Sequence, residues 1–145
     1  MKKAYHIILD TNVAAAAFRS RQGASFRLLQ LLEQGDPRWR VNVSTALVLE
    51  YEAVLKRELH RQGKDMALID SFLDDFVAHA NRHSIFFLLR PYLRDADDDF
   101  ILELAFASKT DYLVTYNVKN FAYARQIGVE ILTPKQFLQL IGDIS

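Results

Sequence analysis

Short apolar runs alternate along this chain with stretches of helical spacing, and acidic residues stand where acids are costly in three of those segments. Asp10 ends the run Tyr5-His6-Ile7-Ile8-Leu9 and opens Thr11-Asn12-Val13. Glu50 lies inside Ala46-Leu47-Val48-Leu49-Glu50-Tyr51, which otherwise reads as core. Asp95, Asp97, Asp98 and Asp99 crowd the start of a further apolar segment. An unpaired buried carboxylate takes up a proton or costs several kcal/mol, and like charges nearby raise that cost. A divalent cation removes it, and Mg²⁺ and Mn²⁺ favour carboxylate oxygen. The pattern therefore points to a metal site assembled from distant segments.

The alternation itself sets the fold class. Tyr5–Leu9 reads as a buried strand. Ser25–Glu33 carries Phe26, Leu29 and Leu32 at helical spacing, and Gly35-Asp36-Pro37 stops it. Val41–Val43 is a second strand, and Ser44 or Thr45 caps a helix running to about Leu59. A helix from Asp65 to about His79 places Leu68, Phe72, Leu73 and Phe76 on one side. Ser84–Leu89 is read as a third strand, and Asp97 to about Ser108 as a helix apolar nearly all round, hence buried. Tyr112–Thr115 and Val129–Leu132 are strands, and Thr133-Pro134 opens a last helix with Thr as cap and Pro in the first turn. This order predicts a mainly parallel sheet covered on both faces.

At 145 residues, with half hydrophobic and a quarter charged, the chain fits one domain over residues 1–145. Eighteen basic and eighteen acidic side chains give a formal net charge of zero, so any nucleic-acid contact must come from a local basic face. The absence of Cys excludes disulfides, thiolate metal sites and thiol nucleophiles, and fits a reducing cytoplasm. The start Met1-Lys2-Lys3-Ala4 leads into a strand rather than a signal-peptide core, and Ile85–Leu89 is too short to span a bilayer.

Each candidate carries two readings. Asp10 falls at the carboxyl end of the first strand, the edge where open parallel sheets gather ligands, and it also suits the cap of the helix that follows. Glu50 has Ala46, Leu47, Ala53 and Val54 as helical neighbours, which places it on an apolar face, or paired with an Arg or Lys, while Glu52 and Lys56 fall on the solvated side. Acids at a helix start contribute about 0.3–1 kcal/mol each through the helix dipole. One or two satisfy that need, whereas four of five repel one another. Asp98 is the one best placed to face inward, since Ile101, Leu102 and Ala105 follow at helical spacing, with Asp95 or Asp97 as cap. Thr115 and Asn117 are polar groups at the end of another strand, or ordinary turn residues.

The set Ile8-Leu9-Asp10-Thr11-Asn12-Val13, Glu50, Asp95-Ala96-Asp97-Asp98-Asp99 and Leu113-Val114-Thr115-Tyr116-Asn117 resembles the PIN-domain family. It is most similar to the VapC-like toxin components of bacterial toxin–antitoxin systems. The resemblance reaches the ending Ile131-Leu132-Thr133-Pro134-Lys135-Gln136-Phe137-Leu138. It implies a three-layer α/β/α fold and a metal-dependent ribonuclease acting on single-stranded or looped RNA. It implies Asp10, Glu50 and Asp98 as ligands of one or two Mg²⁺ or Mn²⁺ ions, with a bound water attacking the phosphodiester in line. Asn12 and Thr115 would orient those ligands by hydrogen bonds. Asn117 stands where the family often has a fourth acid, and Asn120 is an amide where some members carry Asp; Asn117 is expected to ligate through its carbonyl oxygen or to orient the water. Arg19, Arg21 and Lys119 are the expected phosphate contacts, with plain solvation as the alternative for each. The expected partners are RNA, an antitoxin protein and a second copy of the chain, with no membrane.

Two rivals stand beside this reading. A degenerate PIN domain would bind RNA or protein without cleaving, as the missing fourth acid allows. A strand ending in Asp10-Thr11-Asn12-Val13 is also similar to the haloacid-dehalogenase phosphatases, whose second Asp would fall at Asn12.

Overall fold

The structure is a computed structural model and describes residues 4–84 and 99–145. Within these residues five strands form one sheet: β1 (Tyr5–Leu9), β2 (Trp39–Ser44), β3 (Ala80–His83), β4 (Tyr112–Val114) and β5 (Glu130–Leu132). Their order is β3-β2-β1-β4-β5, and every pairing is parallel. The helices are α1 (Thr11–Arg19), α2 (Ala24–Glu33), α3 (Thr45–Arg61), α4 (Ala67–Ala78), α5 (Asp99–Ser108) and α6 (Pro134–Leu140), with a 3₁₀ segment over Val118–Ile127.

Three layers follow from this order. Parallel strands are joined by right-handed crossovers. Steps from β1 to β2 to β3 put α1 to α4 on one face, and the return through β4 to β5 puts α5 and the 3₁₀ segment on the other. α5 packs on β1, β2 and β3, while α6 joins α2 on the first face. There Phe137 meets Trp39 edge to face, ring centroids 5.7 Å apart. The central strand carries the core: Ile7, Ile8 and Leu9 are all fully buried. Burying each contributes about 1.5–3 kcal/mol.

Local signals fix the helix starts. Ser44 caps α3 by accepting a hydrogen bond from the Leu47 N–H at 3.2 Å. Thr133 and Gln136 cap α6 reciprocally, with Pro134 in the first turn as expected.

Two elements differ from the expected order. The third strand among the described residues is Ala80–His83, which the sequence reading passed over; of the expected strand Ser84–Leu89, Ser84 has no regular structure and residues 85–89 lie outside the described residues. Ala-Asn-Arg-His carries no apolar pattern because β3 is an edge strand. Backbone pairing holds it, together with a buried amide: His83 Nε2 donates to Asn42 Oδ1 at 2.8 Å, and Asn42 Nδ2 donates to the Ile7 carbonyl at 3.2 Å. The second is the 3₁₀ segment, which the sequence reading also passed over. Phe121 and Ala124 are buried and Ile127 packs against the core, a spacing of three that matches neither helix nor strand periodicity.

Candidate functional site

The strand order reverses between β1 and β4, and open parallel sheets form their ligand crevice at the carboxyl edge of such a point. Leu9 and Val114 are in register, and the Asp10 N–H donates to the Val114 carbonyl at 2.9 Å. Asp10 and Thr115 therefore leave their strands side by side. Both are buried, Asp10 at 4% exposure.

The carboxylate of Asp10 does two jobs at once. Oδ1 accepts from the Thr11 N–H at 2.7 Å, capping α1, and Oδ2 accepts from the Thr115 hydroxyl at 2.7 Å. Capping and site duty, set apart as alternatives by the sequence, fall to different oxygens of one group. The Thr115 hydroxyl in turn accepts from the Asn117 N–H at 2.9 Å and from Asn12 Nδ2 at 3.4 Å. With both acceptor positions occupied, its one proton points at Asp10. Asn12 closes the cluster, its Oδ1 accepting from the Tyr116 N–H at 3.4 Å.

Burial raises the Asp10 pKa above its ordinary value; the hydrogen bonds from Thr115 and Thr11 oppose that shift, and the charge of Glu50 adds to it. The donors around Asp10 are neutral, so its negative charge lacks a counter-ion among the described residues.

Glu50 sits half-buried on α3 and makes no ion pair among the described residues. No lysine or arginine among the described residues takes the partner's place that the alternative reading gives it. The next residue sets its place. Tyr51 is fully buried and its hydroxyl donates to the Leu9 carbonyl, the last of β1. That bond fixes the rotation of α3 and holds Glu50 within electrostatic reach of Asp10. Burial and the Asp10 charge push the Tyr51 phenol well up, so it remains a neutral donor. Sequence reasoning missed Tyr51; its signal was an aromatic at helical spacing between Leu47 and Leu55, directly after the acid.

Asn117 is exposed just beyond β4, and its N–H is spent on Thr115. Lys119 and Asn120 are exposed at the start of the 3₁₀ segment that follows. Arg19 is elsewhere: α1 carries it roughly 12 Å from its first turn, where it pairs with Glu58 of α3. Arg21 lies beyond that end of α1 and lines an apolar groove with Phe18, Phe26, Leu68 and Phe72. Arg19 and Arg21, expected as phosphate contacts, are thus led away from the Asp10 edge by the nine residues of α1. Asp98, with Asp95 and Asp97, lies outside the described residues. Among the described residues no three Asp, Glu or His side chains converge on one point.

The donor set present suits a hard cation. Among the described residues Asp10 is buried and short of positive charge, its two oxygens each accept one hydrogen bond, and Glu50, whose charge acts on it, has no ion pair.

Comparison with known proteins agrees with this geometry. A family model described as PIN domain matches residues 6–119. The chain is also similar to a chain in the crystal structure of VapBC2 from Rickettsia felis bound to a DNA fragment from its promoter, with a TM-score of 0.57 and 19% identity, covering 87% of this chain and 98% of that one. No curated protein sequence matches.

Proposed function

This chain belongs to the PIN-domain family, and from that premise we propose that it is a divalent-metal-dependent endoribonuclease, the toxin component of a toxin–antitoxin pair. The observation that carries the reading is the buried Asp10 carboxylate at the switch point, held by Thr115 and Thr11, with the charge of Glu50 acting on it and no cation among the described residues to neutralise it.

Asp10, Glu50 and Asp98 would hold Mg²⁺ or Mn²⁺; Asp98 directly precedes the first residue of α5 in sequence. A divalent ion there supplies charge against the developing negative charge on a phosphodiester and eases deprotonation of the attacking water. The protein's own groups do the rest. The Thr115 hydroxyl orients Asp10, and Asn12 and the Asn117 N–H fix that hydroxyl. Tyr51 holds the helix that carries Glu50. Asn117 faces solvent at the edge, where its amide would orient water or substrate, and Lys119 is the cation placed to meet a phosphate.

A protein antitoxin is the proposed partner, and the apolar groove between α1, α2, α3 and α4, where Leu68 is exposed, is the surface it would cover. Self-association is proposed as well, and light scattering on the purified protein reads it. Action in the cytoplasm is part of the same proposal; no helix among the described residues is long and apolar enough to cross a membrane.

A non-catalytic binding module is the second reading, favoured by the amide of Asn117 where the family often has an acid. The phosphatase reading loses its support at Asn12, whose amide is spent on Thr115 and Tyr116. The deciding experiment is cleavage of a single-stranded RNA panel with Mg²⁺ or Mn²⁺, wild type against Glu50→Gln prepared identically. We expect metal-dependent cleavage by wild type and a loss of at least 100-fold in the variant, on the scale of an essential electrostatic group. Equal cleavage by both, or none by either, hands the function to the binding-module reading.

A further inference from the structure

The edge that carries Asp10 also carries an aromatic ring with no structural need to face water. Tyr116 is 49% exposed, directly between Thr115 and Asn117. It is held at both ends. Its hydroxyl lies 2.7 Å from the Ser25 Oγ, in the first turn of α2, and Ser25 is 1% exposed. Its N–H donates to Asn12 Oδ1, the same amide that braces Thr115. Anchoring the phenol to a buried partner fixes the ring while half of it stays open to solvent. A strut between β4 and α2 needs only the hydroxyl, and a long polar side chain would supply one without exposing apolar surface.

We propose that Tyr116 is a pre-set stacking platform for an unpaired nucleobase next to the scissile phosphate. The inference rests on the ribonuclease reading and narrows its substrate. Every base has a π-face, so such a platform is tolerant of sequence, and a ring fixed in advance loses little freedom on binding. Bases in a duplex are already stacked, so the platform selects single-stranded or looped segments. Ser25 is a positioning residue that acts through the Tyr116 hydroxyl.

The test uses a single-stranded RNA carrying 2-aminopurine, an adenine analogue whose fluorescence falls when it stacks. Binding is measured with Mg²⁺ in the Glu50→Gln background, so that the RNA stays intact. We expect Tyr116 and Tyr116→Trp to quench the probe. Tyr116→Leu should abolish the quench and weaken binding about 5- to 150-fold, the range of one lost base–aromatic stack. Tyr116→Phe and Ser25→Ala keep the ring but release its anchor, so both should fall between, with unchanged Mn²⁺ affinity in every Tyr116 variant and a similar small drop in melting temperature for Tyr116→Phe and Tyr116→Leu, both of which lose the Ser25 contact. A duplex of the same sequence should show no dependence on residue 116. Equal affinity and equal quench for Tyr116 and Tyr116→Leu overturn the platform. Cleavage measured in parallel with Glu50 restored separates the two claims. Metal-dependent cleavage with a KM indifferent to residue 116 removes the platform alone. Quenching that depends on the ring, in a protein that never cleaves, removes the ribonuclease alone. RNA ignored by the protein overturns both.

Discussion

Asp10 and Glu58 are both buried carboxylates, 4% and 5% exposed, and their pKa values move in opposite directions. Burial pushes each one up. Around Glu58 that push is overcome: Arg19, Arg61 and Gln62 all donate to it, and its pKa falls from an ordinary 4.5 to about 2. Arg61 reaches it with Nε at 2.9 Å and Gln62 with Nε2 at 3.2 Å. Around Asp10 the donors are a backbone N–H and a hydroxyl, the nearest named charge is another acid, and burial wins. Glu58 and Glu50 lie eight residues apart on α3, so one helix carries a neutralised acid near one end and, towards the other, one with no ion pair among the described residues. The first clamps α1 to α3, and the second is the acid to which the proposed function gives a metal ion. A buried acid alone is thus no sign of a site; its partners decide.

The largest effect should come from breaking the neutralised acid. Glu58→Gln removes the charge that two guanidinium groups share. Because both guanidiniums also reach water, the loss should fall below the roughly 3–5 kcal/mol of a fully buried pair, and thermal melts should show it as a drop of several degrees. No change in melting temperature would mean that the cluster is surface decoration.

Next in size is Thr115→Val, which keeps the shape and deletes the hydroxyl. Asp10 loses a donor, and Asn12 and the Asn117 N–H lose an acceptor. We expect about 2 kcal/mol of destabilisation and a further rise in the Asp10 pKa, read by NMR titration. An Asp10 titration indifferent to this change would contradict the role given to Thr115.

Smaller, but opposite in sign at the two acids, is the pH dependence. Glu58, with its lowered pKa, contributes stability that is present above about 4.5 and lost as the pH falls towards about 2. Asp10, with its raised pKa, contributes stability only below its ordinary value of 3.8 and loses it as the pH rises through the folded-state value. At neutral pH the ionised Asp10 therefore costs stability that Mn²⁺ should restore. At about ten times its Kd the ion should add about 1.4 kcal/mol. That gain should fade at acid pH, where the carboxyl holds a proton instead. A melting temperature equally raised by Mn²⁺ at both pH values would place the ion elsewhere.

Much of this contrast was legible in the sequence on one side only. Asp10 stood at the end of a bulky apolar run, so its place at the strand edge could be read from Ile7, Ile8 and Leu9 alone, and the turn residues Thr115 and Asn117 from Leu113 and Val114. The Thr133-Pro134 cap follows the same local logic. Glu58 was invisible, because its partners come from the far end of α1 and the last turn of α3, and nothing in Leu55–Leu59 marks an ion cluster. Arg19 misled for the related reason that nearness in sequence to Asp10 is undone by the rise of a helix. β3 was passed over because a strand built of Ala80, Asn81, Arg82 and His83 depends on its neighbour's backbone and on Asn42 rather than on apolar periodicity. Tyr51 looked like one more core aromatic, and only the carbonyl it meets gives it a role at the site.

The most direct test of the contrast is a calorimetric titration of Mn²⁺ into the wild-type protein and into Asp10→Asn/Glu50→Gln/Asp98→Asn. An edge that lacks only a cation predicts saturable heat in the wild type and none in the triple variant, with Glu58→Gln binding as the wild type does. Equal binding by the wild type and the triple variant would contradict it.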